Sequence, residues 1–156
     1  MLNRDNEIEL FRKYNYLKYI ADKSRMGLSL TRVSGQKLKQ IESYLAEAEE
    51  IKIKIIEANL PLVVNVARKH ISGRVNLSDL ISEGNFSLMN AVEKFDYTKG
   101  SRFSTFASWV ITKDFAQKVP ELFERIDKTR AASIANLQLE MNSEEEIDFE
   151  AIERTH

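Results

Sequence analysis

The chain has no cysteine, which rules out disulfides, a thiolate metal site and a cysteine nucleophile. Its two histidines, His70 and His156, are too few and too far apart for a paired-histidine metal site. Only two prolines and five glycines punctuate 156 residues, while Leu, Ile, Ala, Glu and Lys are plentiful, a balance that favours helices. No apolar run approaches a bilayer span and the amino terminus has no signal-peptide pattern, so a cytoplasmic protein with no membrane partner is expected. There is no phosphate-binding glycine loop and no nucleophile motif. Asp79 and Glu83 stand four apart on one helix face, but a lone pair of that kind is nearly always solvated. No catalytic residue, metal or cofactor is expected, and the chain reads as a non-enzyme.

The length suits one modest domain with its own core. A net charge of −1 conceals an asymmetry. Residues 1–139 carry 22 Lys and Arg against 17 acids, a net +5, whereas residues 140–156 carry one Arg against seven acids, a net −6. Local charge decides whether a phosphate backbone is attracted, so a basic body with an acidic tail remains compatible with nucleic acid.

Taken in order, residues 5–26 predict a first helix capped by Asp5 or Asn6, with an imperfect apolar stripe through Ile8, Phe11, Tyr14 or Asn15, Leu17 or Lys18, and Ala21. Gly27 closes it and 29–35 is a connector. A second helix begins near Ser34, and its alternating Lys and Glu mark a solvated face. Asn59-Leu60-Pro61 is expected to break it, because proline pushes the preceding residue out of the helical region. A third helix from Pro61 to Ile71 then buries Leu62, Val63 and Val66, and ends in Arg68 and Lys69, where cations complement the dipole. Residues 72–74 form a turn. Asn76 or Ser78 caps a fourth helix whose buried stripe is Leu80, Ile81, Leu88, Met89, Val92 and Phe95. Its other face exposes Asp79, Ser82, Glu83 and Asn85. Gly84 in mid-helix costs about 1 kcal/mol relative to alanine and suggests close approach by another helix.

The densest chemistry lies between Phe95 and Pro120. Phe95, Tyr97, Phe103, Phe106 and Trp109, the one tryptophan, interleave with Lys99, Arg102, Lys113 and Lys118. Rings and cations on one segment suit unpaired bases, since stacking contributes on the order of 1–3 kcal/mol per base while cations track the phosphates. Lys99-Gly100 supplies a turn, Ser104 or Thr105 a cap, and Pro120 a stop. An aromatic stripe at helical spacing is also a common core pattern, and spacing alone does not decide between the two.

Three strings, ANLPLVVNVARKH from Ala58, LSDLISEGNFSLMNAVEKFDYTKG from Leu77 and RFSTFASWVI from Arg102, resemble region two of the sigma-70 family in order and spacing. That family comprises the promoter-recognition subunits of bacterial RNA polymerase. The likeness covers about 66 residues, Ile55 to Pro120, and a weaker likeness to the preceding region 1.2 centres on LFRKYNYLKYIA. It implies an all-α bundle of four to six helices, with residues 1–35 as an amino-terminal helix and connector. Residues 36–120 would be the region-two domain, and 121–156 a weak helix with a mobile acidic tail.

The resemblance further implies binding to core polymerase, through the clamp coiled coil of the beta-prime subunit, and capture of the melted non-template strand of the minus-ten element. Phe106 would stack on a flipped adenine and Trp109 would wedge the upstream edge of the bubble. Phe95, Asp96, Ser104 and Thr105 would help form the pocket, beside Phe103, while Asn59 and Leu62 would take a second flipped base. Arg68, Lys69, Lys99, Arg102 and Lys113 would hold phosphates or the duplex edge. Asp79, Ser82, Glu83 and Asn85 would dock on the coiled coil. The chain departs from the common pattern at Val110, where a second tryptophan is usual, at Thr112 and Lys113, Ala116, Ser82 and Pro61. Sigma factors continue into two further helical domains, so a fragment or an unusually short protein is expected. The alternative is a sigma-like adapter that binds polymerase or an anti-sigma protein without opening DNA.

Overall fold

A computed structural model describes residues 2–28, 34–71 and 75–153, with side chains as far as residue 138. The described residues form four α-helices and no strand: α1 Arg4–Met26, α2 Gly35–Lys69, α3 Leu77–Lys94 and α4 Phe103–Glu153, with a 3-10 turn Tyr97–Lys99 before α4. This is the all-α architecture expected. Of the expected connector 29–35, residues 29–33 lie outside the described residues, as do the turn at 72–74 and the side chains of the acidic tail, whereas Gly35 already opens α2 after Ser34. The chain divides into two units, Met1–Phe115 and Ala116–His156.

In the first unit, α1 is capped by Asn3, not by Asp5 or Asn6: the Asn3 side chain accepts the Asn6 amide at 2.8 Å. Asp5 then falls in the first turn, where a negative charge suits the dipole. The face buried by α1 is Glu7, Phe11, Tyr14, Leu17 and Ala21, a helical stripe with one acid in it.

The expected break at Asn59-Leu60-Pro61 does not occur, and α2 runs through Pro61 as one helix. Pro61 and Glu57, whose carbonyl loses its amide partner, are both exposed, so water can satisfy that oxygen. Meanwhile Ile55, Asn59, Leu62, Val63 and Val66 bury one continuous face, and that burial outweighs the local preference against a helix.

Gly84 of α3 faces Val63 of α2 and Phe115 of α4. A Cβ there would stand 2.6 Å from Val63 Cγ1 and 3.1 Å from Phe115 Cζ, so the close approach read from the sequence is real. Asn76 occupies the cap position of α3 without a side-chain bond. The expected burial of Met89 is corrected: the inner face is Leu80, Gly84, Ser87, Leu88, Ala91 and Val92, and Met89, about 100° round from Leu88, is 40% exposed.

Two interactions lock the helices. Phe11, Phe95 and Phe103 pack ring to ring, with centroids 4.7 to 5.2 Å apart. Glu93 of α3 accepts Tyr14 Oη at 2.7 Å and Lys18 Nζ at 2.6 Å from α1, and pairs with Lys52 Nζ of α2 at 3.0 Å. Burial alone would raise the Glu93 carboxyl, but the hydrogen bonds from Lys18, Tyr14 and Lys52 outweigh it and lower it to about 2. Burial and the same carboxylate raise the Tyr14 phenol.

The second unit is helical from Ala116 to Glu153, and Pro120 lies inside α4 instead of ending it. Pro120 and Ala116, whose carbonyl faces the missing amide, are again exposed. Thr129 and Ser133 donate their hydroxyls to the carbonyls four residues back, Arg125 and Thr129, at 2.9 and 3.0 Å. No helix among the described residues is long and apolar enough to cross a membrane.

Candidate nucleic-acid interface

The segment that enters α4 is built before the helix begins. Asp96 caps the 3-10 turn: its Oδ1 accepts the Thr98 amide at 3.0 Å and the Thr98 hydroxyl at 2.6 Å. These bonds, and Lys99 Nζ at 3.9 Å, lower the Asp96 carboxyl. Gly100 follows at φ 75°, a left-handed conformation that side chains rarely adopt. The chain then reverses into α4, whose first amide, Phe103 N–H, donates to Glu7 Oε1 at 2.9 Å. The expected cap by Ser104 or Thr105 is corrected, because α4 starts at Phe103 and both residues lie inside its first turn.

From there the ring series splits by helical phase. Phe103, Ala107, Ile111 and Phe115 are at most 1% exposed. Phe106 falls outside that stripe, and Trp109 stands on the opposite side of the helix from it. Phe106 is half-buried, its ring 5.6 Å from Phe95, and Trp109 is 59% exposed with its ring 6.4 Å from Phe106 at 33°. Lys113 Nζ stands 5.2 Å from the Trp109 ring, a cation–π arrangement. The exposed face therefore offers one open indole, one partly open phenyl and a cation on successive turns.

The other expected strand contacts are distributed unevenly. Thr105 and Lys99 are exposed and Ser104 is half-buried. Phe103 is a core ring with no exposed face, and Phe95 is 6% exposed as the inner support of Phe106. Asn59 is buried and turned onto its own helix, its Nδ2 donating to the Ile55 carbonyl at 2.7 Å, beside a buried Leu62. Arg68 and Lys69 are exposed at the end of α2. Arg102 is engaged within the protein: Nη2 donates to the Leu2 carbonyl at 3.0 Å, and Nε lies 3.4 Å from Glu7 Oε1.

On α3, Ser82 is exposed and donates to the Ser78 carbonyl at 3.0 Å, while Asp79, Glu83 and Asn85 are half-buried. Asn85 Oδ1 is buried and finds no donor within the protein. Sequence reasoning missed that Phe86, 60% exposed, and Met89 share this surface. It also missed Glu7, whose signal was an acid standing four residues before Phe11 on an otherwise apolar stripe. The groove between α1 and α2 lined by Tyr19, Ala21, Ile41 and Leu45 shares no residue with either surface.

Residues 55–118 match the family model for Sigma-70 region 2. Over this stretch the chain is similar to region 2 of the sigma-70 family. It is 38% identical over 95 residues to the RNA polymerase sigma factor RpoD of Neisseria gonorrhoeae, a match covering 58% of this chain and 15% of that protein. It is 43% identical over 88 residues to the RNA polymerase principal sigma factor HrdD of Streptomyces griseus, covering 56% of this chain and 26% of that protein. The chain thus spans about a quarter or less of the length of these curated relatives. Region 2 takes in the end of α2, all of α3, the turn and the start of α4, the same elements that position Phe106, Trp109 and Lys113.

Proposed function

We propose that this chain serves transcription initiation as a promoter-recognition subunit of bacterial RNA polymerase, in which the α4 face captures the melted non-template strand of the minus-ten element. The observation that carries this reading is the open Trp109 ring beside Phe106 with Lys113 over it. A base cannot offer its stacked face inside a duplex. Extruding it costs a few kcal/mol, and stacking on rings offsets that cost. Phe106 would take a flipped adenine, Trp109 would hold the edge of the opened duplex, and Lys113, Lys99, Arg68 and Lys69 would position phosphates without specifying sequence.

Docking on core polymerase, at the coiled coil of the beta-prime clamp, falls to the outer face of α3. Asp79, Ser82, Glu83 and Asn85 are supported there by exposed Phe86 and Met89, which give a polar rim an apolar centre. In this reading residues 36–120 are the working domain, with 1–35 before it and 121–156 after it.

Val110 supports a second reading. It leaves Trp109 without the neighbouring ring that a full wedge has, as suits an adapter that binds polymerase or an anti-sigma protein and leaves DNA closed. The two separate in one experiment: titrate a fluorescent single strand carrying TATAAT against a scrambled strand, with and without core polymerase. Preference for TATAAT supports capture, whereas core binding with equal affinity for both strands leaves the adapter.

A further inference from the structure

Glu7 is the one acid among the buried side chains of the described residues, 5% exposed. Its Oε1 accepts the Phe103 amide at 2.9 Å and stands 3.4 Å from Arg102 Nε. That Nε is itself buried and makes no aligned hydrogen bond, so the two groups meet as charges. The Arg102 guanidinium is further tied by Nη2 to the Leu2 carbonyl. Both partners thus come from α1 and the residues just before it, while Arg102 opens the segment that carries Phe106 and Trp109.

We propose that Glu7 withholds the Arg102 charge from the strand-binding face, so that α1 sets how many phosphates this face can hold. The proposal rests on the reading of α4 as strand-binding. A phosphate that approaches Arg102 must displace a carboxylate already out of water. Drawing the guanidinium away would leave Glu7 charged and buried against a single amide, a state that low-dielectric surroundings penalise heavily. Glu7 acts through Arg102 and touches no nucleotide itself, which makes it a positioning residue.

The test uses the full chain with fluorescent TATAAT and scrambled single strands, titrated over a salt series. Glu7→Gln keeps an oxygen for the Phe103 amide and removes the charge. It should bind both strands several-fold more tightly, with the slope of log K against log salt steeper by about 0.7, one single-strand phosphate. Glu7→Gln combined with Arg102→Gln should return the slope to that of the unaltered protein, and Arg102→Gln alone should leave it there. A purely structural Glu7 would weaken binding without steepening the slope. Absence of any gain in Glu7→Gln overturns the proposal, and so does a slope flattened by about 0.7 in Arg102→Gln alone, which would mean that Arg102 already holds a phosphate. If circular dichroism shows that Glu7→Gln does not fold, the Arg102→Gln measurement decides. Equal affinity of the unaltered protein for both strands, with the slopes as described, would remove the minus-ten reading and leave the role of Glu7 standing.

Discussion

The phenol of Tyr14 donates a 2.7 Å hydrogen bond to the carboxylate of Glu93, joining α1 to α3 across 79 positions of sequence. Lys18 and Lys52 complete the cluster, so one acid ties three helices together.

Glu93 predicts a pH dependence whose sign follows from its lowered carboxyl. The folded value is about 2 against an ordinary 4.5, so the unfolded chain binds the proton first as pH falls. The stabilisation is complete above about pH 5 and drains away between 4.5 and 2. Glu93→Gln should cost about 1 kcal/mol near neutrality, discounted for a side chain 37% exposed. Denaturant midpoints of the two proteins should converge below pH 4.5; a gap that persists to pH 2 would contradict the assignment.

Gly84→Ala reverses a usual sign. In an open helix it would add about 1 kcal/mol of stability. Here the new methyl would meet Val63 Cγ1 at 2.6 Å, and overpacking costs about 1–3 kcal/mol. The melting temperature should fall, and adding Val63→Ala should recover only part of the loss, because Val63 is itself buried. A rise in Gly84→Ala alone would mean that α2 and α3 yield easily.

Trp109→Ala and Phe106→Ala should part company in stability while agreeing in strand binding. Trp109 is 59% exposed, so its removal should change stability by no more than about 0.5 kcal/mol. Phe106 packs on Phe95, and its loss should cost more. Each should weaken TATAAT binding by about 1–3 kcal/mol, or roughly five- to 150-fold. Thermal melts beside strand titrations measure both quantities. Full TATAAT affinity in Trp109→Ala would exclude the indole from the contact.

Pro61→Ala should stabilise α2 by restoring the amide that Glu57 lacks. Interior proline costs about 3 kcal/mol relative to alanine, reduced by the freedom that alanine gives the unfolded chain. A rise in melting temperature is expected, and a fall would mean that the ring itself packs against something.

The helices of this protein were legible where an apolar stripe repeats, as in Phe11, Tyr14, Leu17 and Ala21, because burial follows helical phase directly. The prolines misled. Pro61 and Pro120 carry a local preference for breaking a helix, but each stands on an exposed face where water can take the missing bond, and α2 buries its opposite side without interruption. The site was half legible for a related reason. Ring and cation content marked the segment, yet Phe103 faces inward because its ring packs on Phe11 and Phe95, and its amide is held by Glu7 from nearly 100 residues away. The pairing of Arg102 with Glu7 is equally a product of the fold and has no signal in the local sequence.

Because the chain has a single tryptophan and it lies open to water, intrinsic emission is a private reporter of one surface. The indole spectrum should barely move when the protein unfolds, since its surroundings are already aqueous. A stacked base should quench it at once. The same residue proposed to grip the strand would therefore announce occupancy without any added label, silent to denaturation and loud to ligand.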